Sequence, residues 1–403
     1  MKQIKEFIDE SVAGSELFKY QNLRPLMTTV MTEADDQPKV TPEDLKGLII
    51  DPDAIPVVFA NGYFQPQLSG DLAAAGVHLE QVVDSFYEYH FKKMGGEIPE
   101  NPLVKFSATN TRAAYKIQFK KGFSSDHRLQ LIQVYLASEA SEDQLSYSGS
   151  QLLIQVDSGV EVQMSETTVG SSKMFYSNLR AVQMEAGARL QYARIDHGLQ
   201  GLSGYNGFTA SLQRDSFLQS FQFSDQTAWV RNDLQAEVLG ENAEVHALGL
   251  SLLKSKQVAD HRTTLKHQAA HSISRQLYKG LLDDKSKLIF NGKIYIAQAA
   301  QHVDSSQINK NITLSKHAEV DTKPELEIYA DDVKANHGAT VGGVDPEELF
   351  YLKSRGITEP AALRMLAEGF LADSFGGITS SGLHRYLNHV LQDSYQRFDQ
   401  VGM

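Results

Sequence analysis

The sequence predicts a mainly β protein, with a long strand-rich core between an N-terminal and a C-terminal helical region. The first observation is alternation. From about Lys105 to Lys334, short runs place apolar residues at every second position: Leu152, Ile154, Val156; Val160, Val162, Met164; Leu190, Tyr192; Phe221, Phe223; Val245, Ala247; Ile294, Ile296; Leu326, Ile328. A period of two buries one face of a strand. The second observation is punctuation. Glycines and other small residues introduce many runs, as at Ser158-Gly159, Ala186-Gly187-Ala188 and Asn291-Gly292. The third is topology. The stretch is long for one sandwich, and only Asn206-Gly207 and Asn291-Gly292 offer the two-residue hairpin signal. A sandwich, a barrel and a parallel β-helix all fit short strands. Length and scarce hairpins favour the β-helix, with coils of about 20 residues or more.

In chain order, Ile4, Phe7 and Ile8 suggest a first amphipathic helix, and Leu79, Val82, Val83, Phe86 and Tyr87 a second. Thr41-Pro42-Glu43-Asp44 has the composition of a helix start. Two glycines and two prolines interrupt Lys92–Pro102, which reads as a joint. After the strand region, Asp345-Pro346-Glu347-Glu348 starts a helix that Gly356 stops in the left-handed conformation. Thr358-Glu359-Pro360 starts another, and Ser380–Phe398 makes a third. The expected regions are 1–98, helical and loop-rich; 99–344, the β core; and 345–403, helical.

Composition narrows the function. Of 403 residues, 50 are acidic and 38 basic, a formal charge of −12 that disfavours nucleic acid and anionic membrane surfaces as partners. No cysteine is present, which excludes disulfides, thiolate metal sites and a cysteine nucleophile. No run approaches the roughly 20 apolar residues of a membrane span, and Met1–Glu10 lacks a signal-like apolar core. A cytoplasmic location is expected. No GxxxxGK[ST] loop and no GxSxG elbow stands where such chemistry needs one.

The segment Asp321–Gly342, DTKPELEIYADDVKANHGATVG, concentrates polar groups. A strand-like run, Glu325–Tyr329, leads to Asp331, Asp332, Lys334 and His337, and Gly338 and Gly342 are expected to let the chain leave the last coil. A neutral imidazole can ligate a transition metal, or it can simply hydrogen-bond a loop. The acidic pair can bind a cation or form a solvated turn. His246, His261, His267 and His271 read as ordinary polar positions. His267 and His271 are four apart, and on a strand that offset separates them by roughly 13 Å, too far for one ion.

The same segment, followed by FYLKSRGI at Phe350–Ile357, resembles the SufB/SufD family of iron–sulfur cluster assembly proteins. Upstream, SISRQLYKGLL (Ser272–Leu282), FNGKIYIAQAA (Phe290–Ala300) and the Gln307–Asn311 run match in order and spacing. VVFANGYFQPQLS (Val57–Ser69) resembles the SufD branch in particular, and the likeness is strongest over Ser272–Phe370.

That resemblance implies a right-handed parallel β-helix core with helical ends. It implies a non-catalytic subunit that pairs with a SufB-like subunit through the β-helices. A SufC-like ABC ATPase would dock on the C-terminal helices, with Tyr351, Leu352, Arg355, Gly356, Leu366 and Phe370 as contacts. His337 would be a ligand to a transient iron–sulfur cluster shared with SufB, with no cofactor held tightly by the chain alone. In isolation the chain could pair with itself as a homodimer. Lack of cysteine fits SufD better than SufB. Ala335 departs from the cysteine of many SufD sequences, and Asn336 from a commoner serine, so no thiol acts there. Two other functions compete. One is a calcium-dependent polysaccharide enzyme using Asp331, Asp332 and Lys334; the other is an iron-free homodimeric scaffold.

Overall fold

The structure is a computed structural model that describes residues 1–8, 15–21, 23–35, 38–82, 101–137, 144–170, 173–198, 201–372, 374, 378 and 380–399. Strands fall in chain order as β1 (Val30–Glu33), β2 (Ala54–Ala60), β3 (Tyr63–Phe64), β4 (Val77–Val82), β5 (Ala114–Phe119), β6 (Arg128–Tyr135) and β7 (Gln144–Val156). They continue as β8 (Glu161–Gly170), β9 (Met174–Met184), β10 (Arg189–His197), β11 (Ser203–Leu212), β12 (Phe217–Asp225), β13 (Trp229–Val238) and β14 (Glu244–Leu253). The last are β15 (Val258–His267), β16 (Ile273–Leu282), β17 (Lys287–Ile296), β18 (Asp304–Thr313), β19 (Glu319–Ile328) and β20 (Lys334–Gly342). Helices are α1 (Arg24–Thr28), α2 (Pro102–Asn110), α3 (Pro346–Ser354), α4 (Glu359–Leu371) and α5 (Ser381–Asp399).

From β5 onward each strand pairs in parallel with the strand two later, so odd strands build one sheet and even strands the facing one; β1 and β4 join the first and β2 and β3 the second, making ten strands in each. This is a parallel β-solenoid with one strand of each sheet per coil. In-register partners project to the same side, so identical positions stack into columns along the axis. Val162, Leu190, Leu218 and Val245 form one such buried apolar column. The corners stack too. Gly159 and Gly187 take positive φ, and the same corner in later coils is Asp215, Asn242, His271 and His302, all with φ near +60°. Each donates its N–H to the carbonyl of the following corner, from Gly159 to Ala186 (3.1 Å) through His302 to Asp332 (2.6 Å). Asn, Asp and His tolerate this region better than other side chains.

Part of the lumen is polar. Asn178, Asn206 and Asn232 form a buried amide ladder with bonds of 3.1 and 2.8 Å, and His261 continues the column. Buried Glu166 meets Arg180 Nη2 at 2.5 Å and Arg194 Nη2 at 2.8 Å, and accepts from the Tyr192 hydroxyl. Burial alone would raise the Glu166 pKa, but the two guanidinium groups outweigh it and hold the carboxyl at about 2. Asp196 has the opposite balance: burial dominates its arginine neighbour and pushes it up to about 6. Burial alone lowers His261 and His267 to about 4.

The outer face of the even-strand sheet carries the C-terminal helices. Ala367 and Leu371 of α4 and Leu383, Leu387, Val390 and Leu391 of α5 bury against Phe221, Phe223, Leu250, Leu252 and Leu281. Lys279 donates to the Phe370 carbonyl at 2.6 Å, at the C-terminal end of α4, and lies over the Phe370 ring. Ser380 accepts from Leu383 N (3.1 Å) at the start of α5 and donates to Asp51 (2.7 Å). Asp51 in turn pairs with Arg128 at 2.8 Å. Among the described residues no helix is long and apolar enough to cross a membrane.

Several sequence expectations change. Leu79–Val82, expected as helix, lies in β4, paired antiparallel with β5; Val83, Phe86 and Tyr87 lie outside the described residues. Most of the Lys92–Pro102 joint also lies outside them. The N-terminal part supplies β1, β2 and β4 directly to the two sheets. The Lys105 end of the strand region is helical: Asn101 caps α2 by accepting from Leu103 N at 3.0 Å, with Pro102 in the first turn. Neither Asn-Gly pair of the strand region makes a hairpin, in keeping with the β-helix reading. Gly207 and Gly292 sit inside β11 and β17, where parallel neighbours on both sides keep the backbone extended. The Asn-Gly pair that does turn the chain is Asn61-Gly62, with φ of 45° and 84°, linking β2 to β3.

Candidate functional site

The solenoid ends on β19 and β20, each paired on one side only. Such an edge leaves a row of backbone donors and acceptors open to another chain. Apolar side chains at this end are exposed as well: Ile328, Tyr329 (59%) and Val341 (48%). Asp331 and Asp332 form the corner between the two strands rather than the end of the last one. The strand that follows carries His337 at its centre. Gly338 and Gly342 are part of that strand, without positive φ, so the expected glycine exit is not built. Extended pairing to β18 supplies the backbone bonds that a turn would have lost.

Register places His337 above Gln307 of β18, which lies above Gln276 of β16. Ser305, Gln307, Asn309 and Asn311 are buried and face the lumen. Ala335, His337, Ala339 and Val341 therefore occupy lumen-facing positions of the last coil. With no coil above them, His337 is exposed. The side chain is presented at the mouth of the solenoid, on the seam where a second chain could pair.

The acidic pair does not share this position. Asp332 Oδ2 lies 3.0 Å from His302 Nδ1, at the stacked corner, where the His271 and His302 rings stand 4.8 Å apart. It lies five residues before His337 along an extended run, roughly 16 Å of chain. Lys334 is exposed on the outward face. Among the described residues no three histidine, aspartate or glutamate side chains converge to hold a metal. An imidazole offers one donor atom to a metal, so His337 alone does not complete a metal site. His261 and His267, read as ordinary polar positions, are interior: His267 is held between Ser272 (2.7 Å) and Ser274 (2.9 Å).

The helical contact residues separate into two groups. Asp345 caps α3 by accepting from Glu347 N at 2.8 Å, and α3 buries none of its residues. Phe350 is 72% and Tyr351 56% exposed. Arg355 stacks on the Tyr351 ring and donates to its hydroxyl at 3.1 Å, which pre-orients both side chains. Leu352 is half-buried, and Gly356, with φ 83°, ends the helix. Leu366 and Phe370 are half-buried on α4, and Phe370 packs partly on its own solenoid. The sequence reading did not single out Phe350 or Gln307 as site residues. Phe350 had a usable signal, an aromatic in a charged helix; Gln307 stood in a run that matches the family, but only the register sets it beneath His337.

The chain from residue 137 to 370 matches the family described as SUF system FeS cluster assembly, SufBD core domain. Among curated proteins, it is 28% identical to the iron–sulfur cluster assembly protein SufD of Escherichia coli (strain K12), over 91% of this chain and 85% of that one. It is 25% identical to the SufD protein of Bacillus subtilis (strain 168), over 80% and 72%. It is 36% identical to an iron–sulfur cluster assembly SufBD family protein of Synechocystis, over 40% of this chain and 36% of the relative.

Proposed function

The chain belongs to the SufBD core family of SUF-system iron–sulfur cluster assembly proteins, on its SufD branch, and from that premise we propose that it is a non-catalytic subunit of a cytoplasmic assembly complex. Its role is in iron–sulfur cluster assembly. In the proposed arrangement the open end of the solenoid, β19 and β20, pairs with a SufB-like subunit. A SufC-like ABC ATPase docks on α3 and the adjoining face of α4. His337 contributes one ligand to a cluster forming at the seam. The cluster is cargo, and because this chain has no cysteine, sulfur ligands come from the partner.

The observation that carries this reading is the last coil. An exposed imidazole stands on an uncovered sheet edge beside exposed apolar side chains, in a position useful only when another chain arrives. The wholly exposed face of α3 supports the second docking surface, since an aromatic and an arginine held together make a strong anchor. The polysaccharide-enzyme alternative loses support, because Asp332 is engaged with His302 and, among the described residues, no acidic cluster converges to hold a cation.

Co-expression with a SufB-like subunit and a SufC-like ATPase, followed by native mass measurement, tests the proposal. A heteromeric assembly is expected. A chain that stays monomeric, or pairs only with itself, in the presence of both partners would overturn it.

A further inference from the structure

We infer that Gln307 is a positioning residue for His337: its buried amide oxygen, unpartnered in this structure, accepts from one ring nitrogen when the exposed imidazole turns toward it, leaving the other nitrogen's lone pair directed out of the solenoid mouth. This rests on the cluster-ligand reading of His337 given above, and it adds the group that would orient the ligand.

The argument begins with an amide that its own coil does not satisfy. Gln307 is 0% exposed, and neither Oε1 nor Nε2 has a hydrogen-bond partner. Buried polar groups left in that state are costly and rare. The coil beneath satisfies the amide oxygen but not the nitrogen, since Gln276 Nε2 also has no partner. Gln276, in register below Gln307, accepts at Oε1 from the Thr263 hydroxyl across the lumen at 2.6 Å. The residue above Thr263 on the opposite sheet is Gly292, which offers no side chain. A Cβ there would overlap Gln307 Nε2, so the glycine is what lets the amide lie across the lumen.

One coil higher, the same opposite position is Pro324, which has neither a side-chain donor nor an N–H. The in-register polar side chain above Gln307 is His337, one strand spacing away, about 4.8 Å. Nε2 is turned toward Gly292, and Oε1 is the acceptor without a partner.

The surrounding charges do not compete. Asp304, Lys310, Lys334, Glu325 and Glu327 alternate with the lumen-facing residues and stand on the outward faces. A neutral ring whose inner N–H is held by a carbonyl oxygen presents its outer nitrogen as a ligand, the arrangement that fixes both tautomer and direction in metal-binding histidines.

The test uses the full chain labelled with 15N-histidine, and long-range 1H–15N correlation reads the His337 tautomer, assigned by its loss in His337→Ala. In the unaltered protein, His337 holds a single tautomer. Gln307→Leu converts it to a mixture of both, and Gln307→Glu, which keeps an acceptor at the same place, restores the single form. Gly292→Ala, which displaces the amide without changing it, gives the mixture. Thr322→Val, which removes another unpaired polar group at this end, leaves the tautomer unchanged. Thermal unfolding of each variant confirms the fold. The same mixture in the unaltered chain and in Gln307→Leu overturns the inference, as does a tautomer governed by Thr322.

In the complex, Gln307→Leu lowers cluster retention by about tenfold or more, the usual range for loss of an orienting partner. A tautomer that follows Gln307 while His337→Ala leaves cluster yield unchanged would sink the ligand reading and leave the amide–imidazole contact standing.

Discussion

Phe350→Ala separates a docking surface from a packing surface. The ring is 72% exposed in this protomer, so little more than a quarter of it is covered. Full burial of a phenylalanine stabilises by about 1.5–3 kcal/mol, so its present contribution to folding is under about 1 kcal/mol. The uncovered remainder represents about 1–2 kcal/mol available to a partner, or about 5- to 30-fold in affinity. Leu387 is the internal control. It is fully buried between α5 and the even-strand sheet, and Leu387→Ala should cost about 2–5 kcal/mol of folding stability. Urea denaturation reads the folding term, and titration calorimetry with a SufC-like ATPase reads the binding term. Phe350→Ala should leave the denaturation midpoint nearly in place and weaken ATPase binding. Unchanged binding would refute the assignment of α3 as the docking helix. A folding loss as large as that of Leu387→Ala would show that the ring is packed.

Three further outcomes follow from the same residues. His337→Ala should leave the chain folded, costing no more than the loss of one hydrogen-bond partner, about 1–3 kcal/mol, while cluster yield in the assembled complex falls; equal yields would count against its ligand role. Acid should destabilise the solenoid in two steps. The unfolded chain protonates His261 and His267 below their ordinary 6.5 while the folded state resists to about 4, so stability falls across that window. Glu166, with its folded pKa depressed to about 2, contributes stability that is present above its ordinary 4.5 and lost between there and about 2; a flat midpoint from pH 7 to 3 would contradict both. Asp196 has the reverse sign. Its pKa is raised to about 6, so the charged form costs stability above that pH. Asp196→Asn should raise the melting temperature at pH 8, on the order of 1 kcal/mol, and lose that advantage below its ordinary 3.8; a larger gain in acid would refute the sign.

Much of the architecture was legible from period and punctuation. Alternating runs from Leu152 to Ile328 are strands, and Asp345-Pro346 and Thr358-Glu359 start helices, because burial of one face and satisfaction of a helix's first N–H groups are local demands. The parallel pairing was legible only indirectly, through length and missing hairpins. Where local signals failed, neighbours had overruled them. Asn206-Gly207 and Asn291-Gly292 are extended because strands on both sides hold them, and Leu79–Val82 is a strand because β5 offers it a ladder. The Asp331–His337 cluster was visible as a polar concentration, but its meaning depended on register. A single sequence places Asp332 and His337 near each other, whereas folding sends one to a corner with His302 and the other to the mouth above Gln307.

By itself, then, the order of residues determined which segments extend, which coil into helices, and that no thiol chemistry is available. Only the tertiary structure decided which side chains stack one coil apart, which edge is left open, and which helix face is uncovered. The physical reason is that burial and alternation act between residues one to four apart, whereas a solenoid column joins positions about thirty residues apart, such as Gln276, Gln307 and His337, that share no local signal.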